Sequence, residues 1–137
     1  MSFDWSENLR LAEYMHNKVA DFPDSEACYR AAIGRAYYFA YCSSQDYVRS
    51  SYGSQYQAYR SQQSSAGRGG SSHQILRGFL TSQLSADEQL LGSRLQALHQ
   101  LRKNADYESH QPPNPSLESV AAITSAREIK QLLSRLS

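Results

Sequence analysis

The chain has 137 residues, of which 40% are hydrophobic, and its formal net charge at pH 7 is +1. A chain of this length and composition forms one domain with one hydrophobic core and leaves no room for a second domain of ordinary size. No apolar run approaches the roughly 20 residues that span a bilayer, and the N-terminus lacks the regions of a signal peptide, so we expect a cytoplasmic protein with no membrane partner.

The arginines are distributed unevenly along the chain. Between Asp46 and Asp87 there is no acidic residue, yet four arginines lie there: Arg49, Arg60, Arg68 and Arg77. An anionic partner would therefore meet this middle segment first, and nucleic acid is the obvious candidate.

The cysteines and histidines show no metal-binding pattern. Cys28 and Cys42 fall on one predicted helix, about 21 Å apart at 1.5 Å per residue, which is too far for a disulfide. They are predicted to be buried thiols. The four histidines are scattered without a zinc-binding spacing, so neither a metal site nor a cofactor is predicted.

Two helices are predicted before the middle of the chain. The first covers about residues 5–20 and is capped by Asp4. Pro23 interrupts the helical pattern, and a second helix follows over about residues 25–48.

One face of the second predicted helix carries Arg35, Tyr38 and Cys42, which follow one another at helical spacing. An arginine on a packing face needs a partner, because an unpaired buried guanidinium is costly. Asp106 on a later helix is the evident counter-charge, so we expect an Arg35–Asp106 contact. Arg35 and Tyr38 are candidate substrate-binding residues.

Residues 52–72 are rich in Gly, Ser, Gln and Tyr, and we predict a flexible loop there. Two interpretations stay open. The loop is either a soluble linker or a surface that binds single-stranded nucleic acid through stacking and phosphate contacts. In the second interpretation the tyrosines are Tyr52, Tyr56 and Tyr59, and the arginines are Arg49, Arg60 and Arg68.

Three more helices are predicted, over about residues 72–82, 86–107 and 117–136. His73 opens the first of them, where the helix dipole favours a neutral imidazole. No segment alternates with period two. The predicted fold is therefore an all-α, up-and-down bundle of four to five helices.

The end of the helix over 86–107 combines apolar packing with polar chemistry. Its inward stripe consists of Leu91, Leu95, Leu98 and Ala105. Arg102 falls on that stripe, with His99 three residues before it and Asp106 four residues after it. An Arg–Asp pair at helical spacing is usually a solvated surface pair. Arg102 and Asp106, however, lie on the apolar side of the helix, just before it must stop, and this position favours a functional site.

Two stretches resemble motifs of the HEPN superfamily, in particular its UPF0332-like branch. Residues 31–40 (AAIGRAYYFA) resemble the S-R-A-Y-Y-A helix of that branch, and residues 98–107 (LHQLRKNADY) resemble its L-R-x-x-A-D-Y helix. The order of the motifs and the short helix opened by His73 also agree. The resemblance covers most of the chain.

The resemblance implies a helical bundle that commonly dimerises and acts as a metal-independent RNase. In the family an Arg stabilises the scissile phosphate, and a His that follows it after four to six intervening residues transfers protons. Arg102 corresponds to this Arg, but Tyr107 follows it where the His is expected, and His110 is one residue outside the allowed spacing. Arg94 and His99 have the right spacing but lie mid-helix, so we interpret that match as coincidence.

Three hypotheses follow. The first is an RNase of the toxin or defence type. Its predicted catalytic residues are Arg102, Asp106, Tyr107 and His110, and its predicted substrate-binding residues are Arg35, Tyr38, His73, His99 and Arg68. The second is a catalytically degenerate HEPN module that binds nucleotide, RNA or a partner such as a minimal nucleotidyltransferase-type antitoxin. The third is a purely structural network of Arg35, Arg102 and Asp106.

Overall fold

A computed structural model describes residues 4–18, 25–65, 67, 70–107 and 115–136, and for Asp106 and Tyr107 it describes the backbone alone. These residues form five helices and no strand, which confirms the predicted all-α bundle. The helices are α1 (Ser6–Asn17), α2 (Ser25–Ser65), α3 (Ser72–Thr81), α4 (Ala86–Tyr107) and α5 (Pro115–Leu136).

The long helix α2 is the centre of the bundle, and α1 lies antiparallel to it. Near the start of α1, Nε1 of Trp5 donates to Oδ2 of Asp46 at 2.8 Å. Near its end, the carbonyl oxygen of Met15 accepts from Sγ of Cys28 at 3.0 Å. Cys28 and Cys42 are both buried and free, as predicted.

Helix α4 also lies antiparallel to α2, and α5 returns antiparallel to α4. The hydroxyl of Tyr47 donates to the buried carboxylate of Glu88 at 2.9 Å, which joins the middle of α2 to the start of α4. Arg94 on α4 forms an ion pair with Glu128 on α5 at 2.9 Å. These contacts give the up-and-down order that the sequence predicts.

All five helices contribute to one hydrophobic core. The predicted inward stripe of α4 is confirmed, because each of its four residues is at most 3% exposed. The stripe consists of Leu91, Leu95, Leu98 and Ala105. On α2 the small residues Ala32, Ala36 and Ala40 are fully buried, which lets the neighbouring helices approach closely.

The prediction of a flexible loop over residues 52–72 is wrong for residues 52–65, which continue α2 beyond a local break at Tyr52 (φ −129°, ψ 15°). The reason is an aromatic stripe. Tyr52, Tyr56 and Tyr59 follow one another at helical spacing, and their rings pack edge-on against Phe79 of α3, with centroid distances of 5.4, 5.1 and 5.5 Å. The segment is polar overall, but one face of it is apolar enough to fold.

Glycine at position 78 permits this packing. A Cβ atom added at Gly78 would lie 2.7 Å from the hydroxyl oxygen of Tyr59, which is closer than a real contact allows. Helix α3 can therefore sit directly against the second half of α2. This packing holds α3, and with it His73, in place.

We predict that Phe79→Ala lowers the free energy of unfolding by about 3 kcal/mol and reduces the helix content, because the tyrosine stripe loses its packing partner. Chemical denaturation and far-UV circular dichroism measure the two effects. Gln57→Ala, an exposed change on the same part of α2, should leave both unchanged. A Phe79→Ala variant with wild-type helix content would contradict the account of residues 52–65.

Candidate functional site

Three helices bring polar side chains together around one buried tyrosine. Tyr37 on α2 is only 1% exposed. His73 reaches it from the first turn of α3, and His99 and Arg102 reach it from α4. We call Tyr37, His73, His99 and Arg102 the Tyr37 cluster.

The start of α3 is fixed by a capping box, and this sets the position of His73. The side chain of Ser71 accepts from the backbone N–H of Gln74 at 3.3 Å, and the side chain of Gln74 accepts from the backbone N–H of Ser71 at 3.1 Å. Such reciprocal bonds satisfy two backbone donors that a helix start leaves open. His73 is the second residue of the helix that they begin.

The contacts within the Tyr37 cluster are close. The Tyr37 hydroxyl is hydrogen-bonded to Nδ1 of His73. The ring of His99 lies 5.3 Å from that of Tyr37 and stacks on that of His73 at 5.4 Å. The guanidinium carbon of Arg102 lies 5.2 Å from the centre of the Tyr37 ring, which is a cation–π distance.

The electrostatics of the cluster keep both imidazoles neutral. Burial, followed by the positive charge of Arg77, lowers the pKa of His99 to about 4. Burial and the positive charges of Arg102 and Arg77 also lower the pKa of His73. Burial raises the pKa of the Tyr37 hydroxyl, so the phenol keeps its proton. The site thus places three neutral side chains, those of Tyr37, His73 and His99, in the positive field of Arg102 and Arg77, which suits an anion.

Two residues of this site were missed by sequence reasoning. Tyr37 was given no role, although it lies within the first HEPN-like motif. Arg77 was seen only as one of the arginines of the middle segment. Arg77 follows His73 by four residues on the same predicted helix, so the two side chains lie on one face. This spacing could have identified Arg77 as a site residue.

The structure places Arg35 and Tyr38 away from the Tyr37 cluster. Arg35 is exposed, so its predicted position on a packing face is wrong. Tyr38 is 43% exposed and packs edge-on against Trp5 at 5.7 Å. The 3.6-residue period turns these two side chains outward when Tyr37 points into the core.

A different arginine of α2 reaches the end of α4. Arg30 forms an ion pair with Glu26 at 2.7 Å and donates to the backbone carbonyl of Ala105. A cation at the end of a helix stabilises its last carbonyl groups. The expected Arg35–Asp106 contact cannot be placed in the same way, because the side chain of Asp106 lies outside the described residues.

The other predicted site residues divide into two groups. His99 and His73 lie beside Arg102, as described above. The side chains of Asp106 and Tyr107, and the whole of His110 and Arg68, lie outside the described residues, and their roles stay predictions. Arg94 faces α5 through its ion pair with Glu128, whereas His99 faces α3, so the two do not form one site.

The part of the chain that the structure describes contains neither a metal-binding cluster nor a membrane-spanning helix. No three His, Cys, Asp or Glu side chains there converge in a way that could hold a metal ion. None of the described helices combines the length and the apolar character needed to cross a membrane.

Comparisons of the chain with protein-family models, curated proteins and solved structures find no match. The resemblance to the HEPN superfamily therefore rests on the two motifs and stays a prediction. The structure adds one observation about these two motifs. Tyr37 of the first motif and Arg102 of the second motif are in direct contact.

We predict that wild-type stability falls by about 1 to 2 kcal/mol more between pH 7 and pH 5 than the stability of a His99→Gln variant. The folded-state pKa of His99 lies below its unfolded value. The unfolded chain therefore takes up a proton first as the pH falls, and stability is lost progressively below about pH 6.5. Urea unfolding at both pH values measures the difference. Equal pH dependence in the two proteins would contradict the lowered pKa.

Proposed function

We propose that the protein is a HEPN-like ribonuclease that binds an RNA phosphodiester at the Tyr37 cluster and cleaves it without a metal ion. The observation that carries this proposal is the position of Arg102. It lies over the ring of Tyr37, and His73 and His99 contact the same ring. A guanidinium beside two imidazoles supplies charge stabilisation and proton transfer in one place.

In the proposed reaction, the 2′-hydroxyl of the RNA attacks the adjacent phosphorus. An imidazole accepts the 2′-hydroxyl proton as the new oxygen–phosphorus bond forms. The bond from phosphorus to the 5′-oxygen then breaks, and the same proton passes to that leaving oxygen. The products are a 2′,3′-cyclic phosphate and a free 5′-hydroxyl. Arg102 and Arg77 would stabilise the negative charge that develops on the phosphoryl oxygens.

The lowered pKa values of the two imidazoles fit a proton acceptor better than a resident acid. A neutral imidazole is ready to accept a proton at pH 7, but a ring whose pKa is about 4 is a weak base. The proposed cleavage is therefore slow. The resemblance adds a homodimer and a minimal nucleotidyltransferase-type antitoxin to this proposal, and the sequence composition adds a cytoplasmic location.

A second candidate function is binding of RNA or nucleotide without cleavage. The same lowered pKa values favour it, because at neutral pH neither imidazole is in the cationic form that a general acid needs. Tyr107 in place of the signature His supports it too. In this case Arg102 would hold a phosphate as a ligand rather than stabilise a transition state.

The test is incubation of RNA with purified protein in EDTA, with analysis of the new 3′ ends. We predict that the wild type produces 2′,3′-cyclic phosphate ends and that Arg102→Gln is at least about 100-fold slower, because it lacks the charge that stabilises the phosphorane. Arg94→Gln is the matched control. Arg94 has the family's Arg–His spacing to His99, but it faces α5 rather than the Tyr37 cluster. The Arg94→Gln variant should therefore retain activity.

Each outcome separates the hypotheses. RNA binding without cleavage, weakened in Arg102→Gln and by salt, would establish the second candidate. Full cleavage by Arg102→Gln would contradict both functions of the Tyr37 cluster. If Arg102→Gln lowers the melting temperature while RNA binding and cleavage are undetectable even in the wild type, the purely structural network is the better account.

A further inference from the structure

The hydroxyl of Tyr37 has a single hydrogen-bond partner among the described residues, which is Nδ1 of His73. Tyr37 is almost completely buried, so water does not offer its hydroxyl an alternative partner. His73 is only partly exposed. The bond therefore joins two groups whose protonation states depend on each other.

The direction of this hydrogen bond follows from the absence of a second acceptor within the described residues. If Nδ1 of His73 carried the proton and donated it, the proton of the Tyr37 hydroxyl would be buried without an acceptor, which is costly. If the hydroxyl donates instead, both groups are satisfied. A neutral imidazole that accepts at Nδ1 carries its own proton on Nε2.

We propose that Tyr37 is a positioning residue that fixes His73 as the neutral tautomer with its proton on Nε2. His73 then acts toward a bound phosphate as a hydrogen-bond donor, and His99 is the imidazole that accepts the 2′-hydroxyl proton. These roles of His73 and His99 toward RNA rest on the proposed function, whereas the tautomer of His73 does not.

The other groups around His73 do not compete with Tyr37. Arg77 on the same helix and Arg102 on α4 are positive, so they oppose protonation of His73, as the donated bond does. His99 contributes a stacked ring, and its buried Nδ1 has no hydrogen-bond partner among the described residues. Nδ1 of His99 is unsatisfied whether or not it carries the proton, so burial does not choose between its tautomers. The tautomer with the proton on Nδ1 leaves Nε2 to accept a proton.

Tyr41 provides a matched control for Tyr37. Its ring lies closer to His73, at 4.3 Å between centroids, than the ring of Tyr37, at 5.4 Å. Its hydroxyl is bonded to the side chain of Gln45 at 3.1 Å rather than to His73. Tyr41→Phe thus removes a neighbouring hydroxyl without removing the proposed hydrogen bond.

The experiment is nitrogen-15 NMR of the histidine rings in the free protein, across a pH titration. In the wild type and in Tyr41→Phe we expect His73 to carry its proton on Nε2 when neutral. In Tyr37→Phe we expect a mixture of tautomers and a rise of the His73 titration midpoint by about one pH unit, because the donated bond favours the neutral form. Tyr37→Phe keeps the ring that Arg102 and His99 contact.

A proton on Nδ1 of His73 in the wild type would overturn the inference, and this spectrum needs no variant to fold. An unchanged His73 midpoint in a folded Tyr37→Phe would overturn it as well. The RNA part is tested separately. If the wild type cleaves RNA and Tyr37→Phe cleaves it at the same rate, the positioning role is wrong while the proposed function stands. If the wild type neither binds nor cleaves RNA, the proposed function fails, and the tautomer result alone decides the role of Tyr37.

Discussion

The structure depends on the burial of one amphipathic ring. Tyr37 enters the core from α2 and offers two chemically different surfaces, a ring face and a hydroxyl. The Arg102 guanidinium lies over the ring face, and the hydroxyl is hydrogen-bonded to His73. Because Tyr37 contacts groups from α3 and α4 at once, it brings their polar side chains together at one place in the bundle.

Packing distant from the Tyr37 cluster also shapes it. The aromatic stripe at the end of α2 holds Phe79, and Phe79 lies on the same short helix as His73 and Arg77. A helix of 10 residues has little stability of its own, so its position depends on this packing and on the capping box at its start. The long α2 therefore serves two purposes, since its first half supplies Tyr37 and its second half holds α3 in place.

The sequence predicts the helices better than the contacts between them. The bounds of α4 and the burial of its leucine stripe follow from periodicity and a cap, and both are confirmed. The end of α2 was missed because polar composition outweighed three tyrosines at helical spacing, whose partner Phe79 lies on another helix. Arg35 was placed inward because small and aromatic residues surround it on all sides, so periodicity could not decide which face is buried. The meeting of Tyr37 with Arg102 depends on helix packing that no local pattern contains.

The most direct test of the account is whether an RNA phosphate binds at the Tyr37 cluster. Histidine ring NMR signals can be followed during a titration with a short 2′-O-methyl RNA. This RNA lacks the free 2′-hydroxyl that attacks the phosphorus, so it is not cleaved. The account predicts that the signals of His73 and His99 shift, whereas that of His16, which is bonded to Ser119 between α1 and α5 at 2.8 Å, stays in place. Saturable binding that moves His16 and leaves His73 and His99 unchanged would contradict the account.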